Sequence, residues 1–164
     1  KAIKIATEHA IKSRLEIDYK CISTGELLKS NKKKFVNSFD IVIASEVIEH
    51  VNNRNIFLSD ISNLCRPGGL IIFTTINKSF MGTFLAKFLA EDIMKILPHD
   101  THDPEKFISP EQLTLEAEKY NVVLDSFTGF LPTFGAQDIS KKEFGDFILI
   151  PNLGVNYGAA GIKL

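Results

Sequence analysis

Apolar residues recur along this chain with two periods, and the changes from one period to the other mark out its elements. In the opening stretch, KAIKIATEHAIKSR, Ile3, Ala6 and Ala10 share one stripe while Lys4, Glu8 and Lys12 share another, which predicts an amphipathic helix. LEIDYKCIS, residues 15–23, alternates and is rich in Ile and Tyr, so a strand is expected there, followed by a short helix over TGELLKSN, residues 24–31. Lys32, Lys33 and Lys34 read as a solvated loop. FDIVIASEVIEHV, residues 39–51, begins as a strand, because Ile41, Val42, Ile43 and Ala44 form the unbroken apolar run of a central strand covered on both faces. Ile56, Phe57, Ile61 and Leu64 predict a helix over residues 54–65, Arg66-Pro67-Gly68-Gly69 turns the chain, and LIIFTTIN, residues 70–77, is a second buried strand. Further on, the pattern predicts an apolar helix over residues 80–97, a polar loop over 98–110, a helix over 110–120 and a strand over VVLDSFTGF. After a loop rich in Gly, Lys and Asp, FILIP and VNYGAAGIKL read as one or two short strands closing an edge.

Strand, helix and strand joined by short links form a parallel crossover, so the fold class expected is α/β, a Rossmann-like, doubly wound, mostly parallel sheet. Ligands in such sheets bind at the carboxyl ends of the strands. A length of 164 residues with 45% hydrophobic and 24% charged side chains fits one ordinary globular domain. With 19 basic against 20 acidic residues there is no bulk attraction to nucleic acid, which drops out as an expected partner. Cys21 and Cys65 sit in apolar stretches and are expected as buried, reduced thiols.

The stretch Ser45-Glu46-Val47-Ile48-Glu49-His50-Val51 lies just past the carboxyl end of the first apolar strand, where that rule puts ligands. If the chain turns helical there, Glu46, Glu49 and His50 fall at i, i+3 and i+4 on one face. Two carboxylates and an imidazole suit magnesium, manganese or zinc. The same carboxylates would equally serve to cap and charge the first turn of a helix. Spacing leaves the two readings open.

FDIVIASEVIEHV, a helix, then LCRPGGLIIFTTIN resembles the fourth and fifth strand motifs of class I S-adenosylmethionine-dependent methyltransferases. A narrower match is Pro98-His99-Asp100-Thr101-His102-Asp103, followed by Lys106-Phe107-Ile108, Pro110 and Leu113. With Thr75-Ile76-Asn77 and Val155-Asn156-Tyr157, it resembles the ubiquinone-biosynthesis O-methyltransferases, which methylate polyprenyl dihydroxybenzoate and demethylubiquinol. The likeness is weakest over residues 134–147. The family's Gly-rich loop, first helix and the acidic residue ending its second strand have no counterpart here. Residues 1–164 are therefore expected to be the C-terminal portion of a single methyltransferase domain, inactive alone because a βαβ unit of about 30 residues is wanting.

The resemblance implies S-adenosylmethionine as cofactor, a cofactor contact at Ser45, an adenine contact at Ser23 and Thr24, and a divalent metal, magnesium first, on Glu46, Glu49 and His50. Ser45 stands where some members of the family carry methionine, and Ser23 and Thr24 equally suit a simple turn before a helix. The reaction implied is attack of a catechol oxygen on the sulfonium methyl, the metal lowering the hydroxyl pKa from the ordinary phenol value of about 10. His102 is the candidate general base or substrate-orienting group, while Thr101 and Asp103 would cap its loop. In residues 80–97, Thr83, Lys87, Glu91 and Lys95 line one stripe of an otherwise apolar helix, too charged to span a bilayer. The substrate's polyisoprenoid tail implies that this helix docks on a membrane surface and forms part of the tail's entrance, with other ubiquinone-synthesis proteins as further partners. The compartment implied is the matrix side of the mitochondrial inner membrane in a eukaryote, or the cytoplasmic membrane face in a bacterium. The competing reading is a non-catalytic methyltransferase-like lipid-binding or scaffold protein.

Overall fold

A computed structural model describes residues 1–79, 104–132 and 146–164. Helix α1 (Ala2–Lys12) forms where the opening stripe predicts it, although it buries only Ala10 and leaves Ile5 and Ile11 in solvent. Helix α2 (Thr24–Ser30) is started by a capping box: the Ser23 hydroxyl accepts from the Glu26 amide while the Glu26 carboxylate accepts from the Ser23 amide. The lysine run forms the short helix α3 (Lys32–Phe35) instead of a loop, because the Asn31 side chain caps it at the Lys34 amide.

Strand β1 (Phe39–Ser45) leads into a 3₁₀ turn (Ile48–His50), then helix α4 (Arg54–Leu64) and strand β2 (Cys65–Ile76). A second 3₁₀ turn (Pro104–Lys106) precedes helix α5 (Pro110–Glu118), strand β3 (Val122–Pro132), β4 (Phe147–Ile150) and β5 (Asn156–Lys163). Ser109 caps α5 and Pro110 occupies its first turn, where a missing N–H costs nothing.

The sheet order is β1-β2-β5-β3-β4, with β1 and β2 parallel and the other neighbours antiparallel. The α/β class stands, as a mixed sheet in which only the crossover through α4 joins parallel strands among the described residues. Parity decides the core. Ile71, Phe73 and Thr75 of β2 and Tyr157 and Ala159 of β5 point to the face covered by α4 and α5, where Leu58, Ile61, Ile108, Leu113 and Ala117 meet them. Each fully buried Leu, Ile or Phe there contributes about 2 kcal/mol by area.

Four further expectations need correction. Residues 15–23 form no strand, since no described strand pairs with them, and Leu15, Ile17 and Ile22 are exposed; β-propensity needs a ladder to act on. β1 is an edge strand, not a central one, among the described residues, and Ile41 and Ile43 are 54% and 64% exposed on the face opposite α4. FILIP supplies the far edge as β4, but VNYGAAGIKL does not close an edge: β5 lies inside the sheet, paired on both sides. Finally, Cys65 is buried, and burial pushes its thiol pKa up, whereas Cys21 is exposed within the unpaired stretch; neither is in a disulfide.

Candidate functional site

The carboxyl ends of β1 and β2 lie side by side, with Ser45 opposite Thr74 in the ladder. Their hydroxyls are hydrogen-bonded at 2.9 Å, so Ser45 is held by the neighbouring strand at the end of the crevice. Glu46 then takes a positive φ of 51°, a left-handed conformation uncommon outside glycine, and its amide donates to the Thr74 carbonyl. This sharp turn directs the next residues across the end of β2. Strained backbone at a strand's carboxyl end is where ligand sites concentrate.

Beyond the turn the chain is 3₁₀, not α-helical, and Glu46 lies outside it. The expected common face is therefore not formed: Glu49 is buried at 2% exposure while Glu46 and His50 are exposed. Among the described residues no three His, Cys, Asp or Glu side chains are gathered closely enough to hold a metal ion. The donor set read from the sequence for magnesium, manganese or zinc thus does not fit a cation in this arrangement. The error lay in assuming α-helical spacing immediately after a strand, where the left-handed turn intervenes.

Glu49 is instead part of a buried polar cluster. The Thr75 hydroxyl donates to Glu49 Oε2 at 2.8 Å, and Oε1 has no hydrogen-bond partner among the described residues. Thr75 faces Tyr157 across the β2–β5 ladder, and the Tyr157 hydroxyl donates to the Ile108 carbonyl at 3.1 Å. Asn77 fastens the same corner, its amide donating to the Val155 carbonyl and its side chain to the Leu153 carbonyl. The separate stretches Thr75-Ile76-Asn77, Lys106-Phe107-Ile108 and Val155-Asn156-Tyr157 thus meet at one end of the sheet, beneath the Ser45–His50 turn. Thr74, Thr75 and Tyr157 carried no candidate role in the sequence; for Thr75 and Tyr157 the signal was their parity with Phe73 and Ala159 at the crevice end of β2 and β5, whereas Thr74 lies on the opposite face.

Burial, with Glu111 and Glu49 nearby, raises the Tyr157 phenol pKa above its ordinary value of 10.0. The folded state holds this proton more tightly than the unfolded chain, so the stabilisation is fully present below pH 10.0 and is lost as pH rises above it. Tyr157→Phe is expected to cost about 1 kcal/mol at neutral pH by leaving the Ile108 carbonyl with only the longer bond from the Lys78 amide. It should also flatten the alkaline fall in stability, as measured by urea unfolding between about pH 9 and pH 11.5. An unchanged alkaline slope would show that other groups govern it.

Ser23 and Thr24 are both engaged internally. The Ser23 hydroxyl is in the α2 capping box, and Thr24 donates to Asp60 Oδ2 at 2.8 Å, tying α2 to α4. His102, with Thr101 and Asp103, lies outside the described residues, as does the apolar segment 80–97. Among the described residues no helix is long and apolar enough to cross a membrane.

A parallel β1–α4–β2 crossover, a left-handed turn at its carboxyl end and an antiparallel β5 inserted beside β2 define a methyltransferase-like α/β fold. Residues 6–126 match the family described as methyltransferase domain, and the chain belongs to it. More particularly, it is similar to a ubiquinone biosynthesis O-methyltransferase of Pelagibacter ubique (strain HTCC1062), 37% identical over 163 residues, covering 99% of this chain and 62% of that protein. A protein of the same name from Rhizobium etli (strain ATCC 51251 / DSM 11541 / JCM 21823 / NBRC 15573 / CFN 42) is 40% identical over 152 residues, covering 92% of this chain and 59% of its own. The chain therefore spans less than two thirds of the length of these relatives. Among solved structures, one from work on the conversion of a disulfide bond into a thioacetal group during echinomycin biosynthesis superposes with a TM-score of 0.67 at 18% identity, over 99% of this chain and 62% of that one. A SAM dependent methyltransferase from Aquifex aeolicus gives 0.57 at 11% identity, over 99% and 63%. These two show the fold. The kinship read from the residues around Lys106-Phe107-Ile108 agrees with the relatives found.

Proposed function

We propose that this protein is an S-adenosylmethionine-dependent O-methyltransferase acting on a catechol hydroxyl of a polyprenylated ubiquinone precursor. S-adenosylmethionine supplies an electrophilic methyl group, and the chain's own residues receive and orient the attacking hydroxyl. A phenol with a pKa of about 10 is a poor nucleophile until its proton has an acceptor. The observation that carries the reading is the buried Glu49 carboxylate at the carboxyl ends of β1 and β2, one oxygen held by Thr75 and the other without a partner among the described residues. The Ser45–Thr74 pair and the Glu46 turn form the adjoining wall on the cofactor side. His102, from outside the described residues, remains the candidate to orient the second hydroxyl or to take up the proton.

The metal expected on Glu46, Glu49 and His50 enters no step, since those side chains do not gather. A substrate anchored by a polyisoprenoid tail requires the enzyme to work at a bilayer surface, and residues 80–97 are our candidate for that contact. The compartment that follows is the cytoplasmic membrane face in a bacterium, or the matrix side of the inner mitochondrial membrane in a eukaryote.

The test is methyl transfer by the full-length protein from methyl-labelled S-adenosylmethionine to a catechol bearing one isoprenoid unit. Label on a ring oxygen is expected, with kcat for Glu49→Gln reduced about 100-fold. A wild-type protein that binds S-adenosylmethionine yet labels no oxygen would end the reading in favour of a non-catalytic lipid-binding or scaffold role.

A further inference from the structure

Resting on that reading, we propose that Thr74 is a positioning residue for the cofactor: its side-chain and main-chain oxygens together hold the Ser45 hydroxyl and the left-handed turn at Glu46, the two features that shape the wall on the cofactor side. Thr74 and Ser45 stand directly opposite each other in the parallel β1–β2 ladder and share the face away from α4, so their side chains meet at the carboxyl ends of both strands. The two hydroxyls lie 2.9 Å apart. Whichever of them donates, the bond selects one of the staggered positions open to a serine side chain. Ser45 is exposed, and a hydroxyl with one bond made keeps further hydrogen-bonding capacity for a ligand.

The second hold is on the backbone. The Glu46 amide donates to the Thr74 carbonyl at 2.9 Å and also reaches the Thr74 hydroxyl oxygen at 3.2 Å. An N–H shared between two oxygens of a single residue is fixed in direction, and this one belongs to the residue whose φ of 51° is disfavoured for any side chain with a Cβ. Such a conformation persists only where its surroundings over-determine it. Thr74 supplies that constraint stiffly, because a β-branched side chain has little freedom at χ1. Thr75 cannot substitute for it, since the pleat turns Thr75 to the core, where its hydroxyl donates to Glu49. Within LIIFTTIN the two threonines look alike, and only the register tells them apart. A cofactor docking on this wall meets a polar group already oriented, so binding requires less ordering.

The experiment uses the full-length protein and compares Thr74→Val, which keeps the shape and removes the hydroxyl, with Thr74→Ser, which keeps the hydroxyl. Thr74→Ala serves as a second hydroxyl-free variant should valine prevent folding. Affinity for S-adenosylmethionine is measured by calorimetry without acceptor, and KM for a catechol bearing one isoprenoid unit is measured at saturating cofactor. The expected result is a cofactor Kd raised about 10-fold in the hydroxyl-free variants and brought back within about threefold of wild type in Thr74→Ser, with the acceptor KM within about twofold in all. In the double variant Ser45→Ala/Thr74→Val the rise in Kd should fall short of the product of the two single rises, because both remove the same bond. Equal losses in Thr74→Ser and the hydroxyl-free variants, or a matching rise in acceptor KM, would reflect a general loosening of the strand ends and overturn the proposal. A wild-type Kd in the hydroxyl-free variants, or a strict product in the double variant, would overturn it too. Cofactor affinity is read without acceptor, so these outcomes are distinct from a failure of the reading it rests on, in which the wild type labels no oxygen while the Thr74 variants still lose cofactor affinity.

Discussion

Gly161→Ala is expected to destabilise the protein by more than about 4 kcal/mol, a cost large enough to unfold most of it at ambient temperature. Gly161 lies in the middle of β5, with Ile71 of β2 opposite on one side and Leu124 of β3 on the other. A methyl group at this position would stand 2.0 Å from the Val123 carbonyl oxygen and 2.6 Å from the Leu124 Cα. Both are backbone atoms of a paired strand, so no side-chain rotation can make room. The ladder itself shifts register between Leu124 and Ser126, and the bulge draws β3 close over β5 at this point. Accommodating alanine therefore means prising β3 from β5, and with it β4, which among the described residues is paired only to β3. Gly158 on the same strand provides the control. A methyl there meets nothing nearer than 3.7 Å, and Gly158→Ala is expected to shift stability by no more than about 1 kcal/mol. Urea denaturation of the two variants settles the matter, and coincident midpoints would refute the close-approach account.

The same strand shows which parts of the fold the sequence makes legible. The crossover from β1 through α4 to β2 was readable because it combines a continuous apolar run with a helical stripe of Ile61 and Leu64, whereas the turn expected at Arg66–Gly69 lies inside β2, where the β1–β2 ladder shifts register between Cys65 and Leu70. β5 was readable as a strand but not as an inner one, since its alternation of Tyr157, Ala159, Gly161 and Lys163 with Gly158, Ala160 and Ile162 looks no different at an edge. Residues 15–23 went the other way: the alternation is real, yet a strand exists only where another backbone pairs with it. Ile41 and Ile43 likewise announce burial that the described residues do not supply.

The site was legible as a place but not as a geometry. Ser45 to His50 was found because it follows an unbroken apolar strand pattern, and Glu49 proves to be its buried carboxylate. Nothing in the spacing of Glu46, Glu49 and His50 disclosed that Glu46 would turn left-handed at φ 51°, or that the 3₁₀ turn after it would bury Glu49 and leave His50 exposed. Nor could periodicity identify Thr75 as the partner of Glu49, because a threonine in an apolar strand reads as β-propensity rather than as a donor. Motif kinship grouped the Thr75–Asn77 and Val155–Tyr157 stretches, and the antiparallel register of β2 and β5 explains why they belong together.

Lys163 carries the second large effect. It points inward on the face of Tyr157 and Ala159 at 8% exposure, and its three ammonium hydrogens have three acceptors: Asn37 Oδ1 at 2.7 Å, the Ser62 carbonyl at 2.6 Å and the Cys65 carbonyl at 3.0 Å. Two of these carbonyls lie at the carboxyl end of α4, where a cation is favoured by the helix dipole and serves groups that the helix leaves unpaired. Burial lowers the Lys163 pKa, but the three acceptors favour the charged form. Lys163→Met keeps most of the volume and leaves all three acceptors without this donor, so a loss of about 3 kcal/mol is expected in urea unfolding at neutral pH. Asn37 has φ 54°, which glycine accepts freely, so Asn37→Gly removes one acceptor without straining the turn. In the double variant the two costs should fall short of additivity by about 0.5–1 kcal/mol, the coupling of the Lys163–Asn37 bond. Strict additivity would mean that Lys163 does not bond Asn37 in solution, and a Lys163→Met midpoint equal to wild type would mean that the end of β5 is frayed and the α4 carbonyls are served by water.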